Sequence, residues 1–496
     1  MTELMYHSTR NKAERITASQ AILKGIAADG GLYVPEHIPQ VDFDWARLGE
    51  CSYQEVAYEV LRHYLTDFTE GELRTCIAAA YDKGFDDAHI TPLVSLNEQL
   101  HVLELFHGST GVFKDIALSI LPHLMTHSTK KNHLKHQMVI LTASAGNTGK
   151  AVMSGFADVE RTQVIVFYPK DYVTPIQAQQ LLTQSGDNET IIGVEGTFDD
   201  VQAKVKALLA NEELQQTLAA RGFQFSSANS INIGRIIVQM VYYVFAYAQL
   251  VKRGAVQAGE AINIAVPTGN FGNILSGYYA KMMGVPIAKL LCATNLNNVL
   301  VDFFHEGLYN RHRPLIATSS PAMDVRVASN LERLVYELVD EQDTETTLLM
   351  QTLEAAGAYE LSGGIVNKLQ DFYVRDASEG AIARAIKRTW EQHRYVIEPH
   401  TATAFSVYNR YVEQTNDYTP TLVMATATPY KFPRIVMETL SEVQAEWSDF
   451  DLLDQLHAFT GLPVPISVAT VRKAPILHRK IVPTTEMKRA ILDALI

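Results

Sequence analysis

Short apolar runs alternate along this chain with longer stretches in which apolar residues recur at helical spacing. The runs at 102–106, 138–142, 164–168, 190–194, 262–266 and 421–426 have the length of buried strands. Strands separated by helices require right-handed crossovers and mainly parallel sheets covered on both faces, so the pattern predicts the α/β class. Between residues 51 and 82, Val56, Val60, Leu61 and Leu65 fall at helical spacing with charged residues between them. That spacing predicts one amphipathic helix packing an N-terminal region. Residues 231–251 differ, because Ile236, Ile237, Met240, Val241, Tyr243 and Val244 run round most of the circumference. A helix apolar on nearly every side is buried, and Arg235 and Gln239 interrupt it as they would not in a membrane span. The segment is therefore expected to join domains inside the protein.

At 496 residues the chain exceeds the usual size of a single core, so two or three domains are expected. No tandem repeat, low-complexity tract or Pro/Gly/Ser-rich linker divides it into modules. The formal net charge of −13 argues against nucleic acid as a partner, since that binding is driven by basic patches. The same field repels an anionic substrate at long range, so a phosphate would have to be held by a local cluster of cations and N–H donors. Cys51, Cys76 and Cys292 are too few and too scattered for a disulfide framework or a zinc site, and no metal is expected. The first residues lack the apolar core of a signal peptide, and no stretch is expected to reach the length of a membrane span. A cytoplasmic location with no membrane partner is the expectation, and monomer and homodimer are both left open.

Three turns carry candidate chemistry. In HGSTGVFKDIAL, residues 107–118, a polar turn delivers Lys114 into an apolar helix-like run, where an amine can lose its proton and become nucleophilic. In TASAGNTGKAV, residues 142–152, a Gly-containing turn follows a strand and precedes a small-residue helix, the arrangement that points N–H groups at an anion. In AINIAVPTGNFGNILSGYYA, residues 261–280, a buried-type strand enters PTGNFGN and then another helix, a phosphate cradle by composition. Lys150 in NTGK is not a nucleotide P-loop lysine, because Ser144 stands where the first glycine is needed and Ala151 where Ser or Thr must follow. Gly/Asn turns also simply reverse chains, so each turn alone is weak.

Taken together and in order, these motifs resemble the threonine synthase family of pyridoxal phosphate enzymes, within the tryptophan-synthase-like fold. HGSTGVFKD is similar to the family's HGPTxxFKD, SAGNTG to its TSGDTG, and PTGNFGN to its cofactor-phosphate loop. The likeness runs through LKGIAADGGLYVPE, YPKDYVTPIQ, VEGTFDD, NSINIGRIIVQ, SPAMDVRVASNLERLVYEL, EPHTATA and TATPYKFP. Two departures stand out. Ser109 replaces the usual proline, and Asn147 replaces the aspartate of TSGDTG, which supplies an amide donor where aspartate would need a proton.

The resemblance implies two open, mainly parallel sheet domains with helices on both faces, the cofactor in their cleft, and an N-terminal region. It places that region at 1–95, a large cofactor-binding domain at 96–118 and 225–496, and a smaller inserted domain at 119–224. It implies pyridoxal 5'-phosphate bound through Lys114, with Asn147 on the ring oxygen. The N–H groups of Gly269, Asn270, Phe271, Gly272 and Asn273 would take the cofactor phosphate, and Thr426 the ring nitrogen, where a hydroxyl need not hold a positive charge. Thr142, Ser144 and Ala145 would face a substrate α-carboxylate, and Asn229, Ser230 and Arg235 a substrate phosphate, the alternative for Arg235 being to tie the two domains together. The implied reaction is a lyase reaction, O-phosphohomoserine plus water giving L-threonine and phosphate, with Lys114 handling protons at adjacent carbons. A phospho-amino-acid lyase giving 2-oxobutyrate, ammonia and phosphate would use the same lysine and cradles. A non-catalytic cofactor carrier would need neither the lysine nor the substrate-side loops. His400 in EPHTATA reads as a packing residue, and Asp324 with Arg326 as a structural ion pair.

Overall fold

The computed structural model describes residues 3–144, 147–171 and 175–495, without the side chains of Asn147, Pro175, Phe198 and Asp199. Two parallel sheets dominate it. The larger has the strand order Phe372–Asp376, Ile287–Thr294, Ile262–Pro267, Thr421–Ala425, Leu100–Glu104, Leu93–Ser95, with only the last strand antiparallel. The smaller has the order Ile481–Pro483, Glu189–Glu195, Thr162–Pro169, Gln137–Ala143, Phe223–Ser226, parallel throughout. Val139, Leu141, Ile165, Phe167, Ile192 and Val194 give the smaller sheet its own core against the helices that follow its strands. The expected α/β class and the six predicted strands are all present.

The domain limits are corrected at the C-terminal end. The strand Ile481–Pro483 pairs with Gly193–Glu195, and the helix Met487–Ala494 packs Met487 and Ile491 into the smaller core. The tail therefore belongs with the inserted sheet and not with the large domain, because Val482, Met487 and Ile491 find there the apolar face they need.

The N-terminal region begins with a three-stranded antiparallel sheet, Asn11–Ile16, Tyr6–Ser8 and Tyr33–Pro35. The single helix expected over 51–82 is in fact two, Tyr53–Tyr64 and Glu70–Tyr81. Each starts in its own capping box, Ser52 with Glu55 and Thr69 with Glu72, so the second helix is nucleated afresh beyond Leu65. The first packs on Ile233–Lys252, a helix long and apolar enough to cross a membrane but buried over its whole apolar length inside the fold, and the second packs on the first and on the helix Lys114–Lys131.

The candidate motifs gather because each follows the carboxyl end of a parallel strand. Leu100–Glu104 leads into the Lys114 turn, Gln137–Ala143 is followed by the helix Asn147–Phe156, Ile262–Pro267 leads into the 268–271 turn, and Thr421–Ala425 into Thr426. In open α/β sheets that edge is where ligands bind.

Candidate active site

The Lys114 turn is stitched to its surroundings before the lysine is reached. The carboxylate of Asp115 accepts hydrogen bonds from the Thr110 N–H at 2.9 Å and the Thr110 hydroxyl at 2.6 Å. The Phe113 N–H donates to the Thr426 carbonyl at 2.9 Å, and the Thr428 N–H to the Gly111 carbonyl at 3.0 Å. At the turn's entrance the two ring nitrogens of His107 meet Asp86 at 2.5 Å and Glu104 at 2.8 Å, and Glu104 also accepts from the Tyr395 hydroxyl at 2.6 Å. Two carboxylates on one imidazole outweigh its burial and push it up to about 9.

Lys114 opens the helix Lys114–Lys131, and its Nζ donates to the Thr148 hydroxyl at 2.7 Å. The helix Asn147–Phe156 can bring Thr148 that close because Gly155 lies against the first helix, where a Cβ would come within 2.1 Å of the Leu118 carbonyl oxygen. Ser109, the departure from proline, adds a hydroxyl contact to Ser154 at 2.5 Å, which proline could not make. Burial, then repulsion from Arg235, lowers the Lys114 amine to about 8, within reach of the deprotonated form a nucleophile needs.

The cavity around this amine is lined by Lys114, Ser230, Arg235, Gln239, the 267–274 segment, Ala322, Met323, His400 and Thr426. Phe271 sits at φ 64 and starts the helix Gly272–Met283 with no side-chain cap, so the first N–H groups of that helix are left for another acceptor. Arg235 is only 2% exposed, and its guanidinium donates to the Ala228 carbonyl at 3.2 Å. Its Nε has no partner among the described residues, and burial lowers its pKa to about 10. A buried guanidinium without a carboxylate is costly unless an anion comes to it.

The sequence candidates divide accordingly. Lys114, Gly269, Asn270, Phe271, Gly272, Asn273, Thr426, Ser230 and Arg235 line one cavity. Asn229 does not, and its backbone is engaged with Ser227 and Asn232 in the local turn. Thr142 lies off the cavity at the end of its strand, its hydroxyl 3.3 Å from the Ala143 carbonyl, and the Ser144 hydroxyl accepts the Gly149 N–H at 2.6 Å. Ala145 and the side chain of Asn147 lie outside the described residues. No cluster of metal ligands occurs among the described residues.

Two readings change. His400 lines the cavity, with Nδ1 on the fully buried Glu398 at 2.6 Å and Nε2 accepting the Ala322 N–H at 3.1 Å. That pair of contacts fixes a neutral imidazole with its proton on Nδ1. Asp324 accepts from Asn295, Asn297 and Thr318 in place of the expected partner Arg326. Thr148 and Gln239 were not flagged by any motif reading. Thr148 adjoins Asn147 in SAGNTG, but only the helix packing at Gly155 shows that its hydroxyl meets the lysine.

A buried amine of lowered pKa, an uncapped helix start behind a left-handed residue and an uncompensated guanidinium fit an aldehyde cofactor with its own phosphate beside an anionic substrate. Three family profiles match the chain: "Threonine synthase N terminus" over residues 5–81, "Pyridoxal-phosphate dependent enzyme" over 86–426 and "Threonine synthase, C-terminal" over 401–474. Human "Threonine synthase-like 1" is 36% identical over 457 residues, covering 90% of this chain and 61% of its own length. This chain thus spans about three-fifths of the curated relatives of that kind. Threonine synthase of Saccharomyces cerevisiae is 34% identical over 470 residues, covering 88% of this chain and 89% of its own. Among solved structures, the pyridoxal-phosphate-bound threonine synthase of Brucella melitensis superposes with a TM-score of 0.88 at 29% identity, covering 99% of both chains. The yeast enzyme gives 0.87 at 32% identity, covering 99% of this chain and 98% of that one.

Proposed function

The chain belongs to the threonine synthase family of pyridoxal-phosphate-dependent enzymes, and on that premise we propose that it converts O-phosphohomoserine and water to L-threonine and phosphate. The observation that carries the reading is the single cavity holding the Lys114 amine, the 269–273 cradle and the unpaired donor of Arg235. Bound there, pyridoxal phosphate supplies the electron sink that makes protons and a leaving group labile along the substrate carbon chain. The N–H groups of residues 269–273 would hold the cofactor phosphate. The Thr426 hydroxyl would serve the ring nitrogen without demanding a charge there.

Lys114 carries the proton traffic. An amine near pKa 8 accepts and returns protons at neutral pH with little driving force lost in either direction, and Thr148 fixes where its Nζ sits. Arg235 and Ser230 take the substrate phosphate and keep it when it leaves. A cytoplasmic location is part of the proposal, supported by three cysteines that are all free thiols.

The deciding experiment incubates the purified protein with O-phosphohomoserine and follows phosphate, threonine and 2-oxobutyrate together. Threonine equal to phosphate supports the proposal. Oxobutyrate equal to phosphate would make the protein a phospho-amino-acid lyase, and no phosphate at all would leave it a carrier.

A further inference from the structure

Asn330 stands before the helix Leu331–Leu338 in the position where an asparagine normally caps its own helix, yet its side chain makes no such cap. Its oxygen is turned to Arg333 instead, accepting from Nη1 at 2.6 Å. A guanidinium has only donors, so the atom it faces must be the oxygen and the amide orientation is settled. The amide nitrogen is left with no partner among the described residues, although Asn330 is 0% exposed. A buried orphan donor is costly unless something absent from the protein itself accepts from it.

The place it occupies names that acceptor. The Asn330 N–H donates to the Asn270 carbonyl at 3.1 Å, and its orphan nitrogen lies 3.2 Å from where a Cβ of Gly272 would be. It therefore abuts the first residue of the Gly272–Met283 helix, at the N-terminus that no side chain caps. Arg333, itself fully buried, also donates to the Tyr33 carbonyl at 3.0 Å and the Ile231 carbonyl at 2.6 Å. Its three anchors hold the Asn330 amide against rotation.

We propose that Asn330 is a side-chain donor to the cofactor phosphate, added to the backbone N–H groups of the 269–273 turn, and that Arg333 is its positioning residue. The inference rests on reading that turn as the cofactor-phosphate site.

The test compares pyridoxal phosphate with pyridoxal, which lacks the phosphate, by absorbance titration of the cofactor-free full chain. The unaltered protein should bind the phosphate form far more tightly. Asn330→Ala should cut that preference about tenfold, by loss of one hydrogen bond to a charged group. Asn330→Asp keeps an oxygen for Arg333 but sets a carboxylate beside the cradle, and should cut the preference further while pyridoxal affinity holds. Arg333→Lys should lower the preference less than Asn330→Asp. A folded Asn330→Ala protein with the unaltered preference would overturn the assignment, even if the aspartate variant fails to fold. Equal binding of both forms by the unaltered protein would instead sink the cofactor-phosphate reading, and this inference with it.

Discussion

The two walls of the cavity are held in different ways. On the large-domain wall, Lys114 and Thr426 sit on backbone cross-linked by Phe113 to Thr426 and by Thr428 to Gly111, and His107 clamps the entrance between two carboxylates. The described residues of the inserted sheet meet this wall chiefly through side chains, Thr148 on Lys114, Ser154 on Ser109 and Gln180 on Lys431. The wall that must hold a cofactor through every turnover is thus prebuilt. The other wall is carried on a separate sheet, one face of which has a core of its own while the other joins the main core.

The largest effect should come from the one group both walls share. Lys114→Ala should lower turnover by more than about a thousandfold, and borohydride should no longer fix the cofactor to a lysine. A reduced, lysine-linked cofactor peptide in that variant would mean that another lysine holds it. Next comes Arg235→Ala, expected to lower kcat/KM about thirtyfold or more and to weaken inhibition by free phosphate, with cofactor occupancy retained. Because Arg235 adds to burial in lowering the Lys114 amine, its loss should also move the limb over which the rate rises with pH to higher pH. Loss of the cofactor together with unchanged phosphate inhibition would break the division between the walls.

His107 tests the prebuilt wall by itself. Its pKa is raised from 6.5 to about 9, so its contribution to stability is complete below 6.5 and disappears as pH rises through 9. Urea unfolding should show about 2 kcal/mol lost across that window, and a flat profile in His107→Leu. An equally sloped profile in the variant would remove His107 from the account. The smallest effect is expected for Thr148→Val, about fivefold in kcat/KM from loss of the one hydroxyl that accepts from Lys114, with unaltered cofactor affinity. A large loss of cofactor there would show that the inserted sheet also holds the cofactor.

Legibility follows the same division. The central strands are apolar on both faces, and their runs identify them without further help. The strands Ile287–Thr294 and Phe372–Asp376 escape the pattern because Lys289, Arg375 and Asp376 interrupt them, which the second tolerates as the edge of its sheet. Lys289 carries its ammonium out to the Gln370 carbonyl at 2.6 Å. Asn11–Ile16 is missed since five of its six residues are half-exposed or more. At the site, residues next to glycine-rich turns are legible as motifs. His400 and Asn330 are not, since what distinguishes them is where a single nitrogen points, and that depends on Ala322 in one case and Arg333 in the other.

The return of Ile481–Pro483 to the inserted sheet also sets a timetable. Val482 pairs with Val194, about 290 residues earlier in the chain. At roughly 5–20 residues per second, the ribosome needs about 15 to 60 seconds to cover that distance. Through that interval the Glu189–Glu195 strand waits without its outer neighbour, and an unpaired edge is an invitation to other strands. The inserted sheet of the nascent protein therefore keeps an open edge until almost the last of the chain has been made.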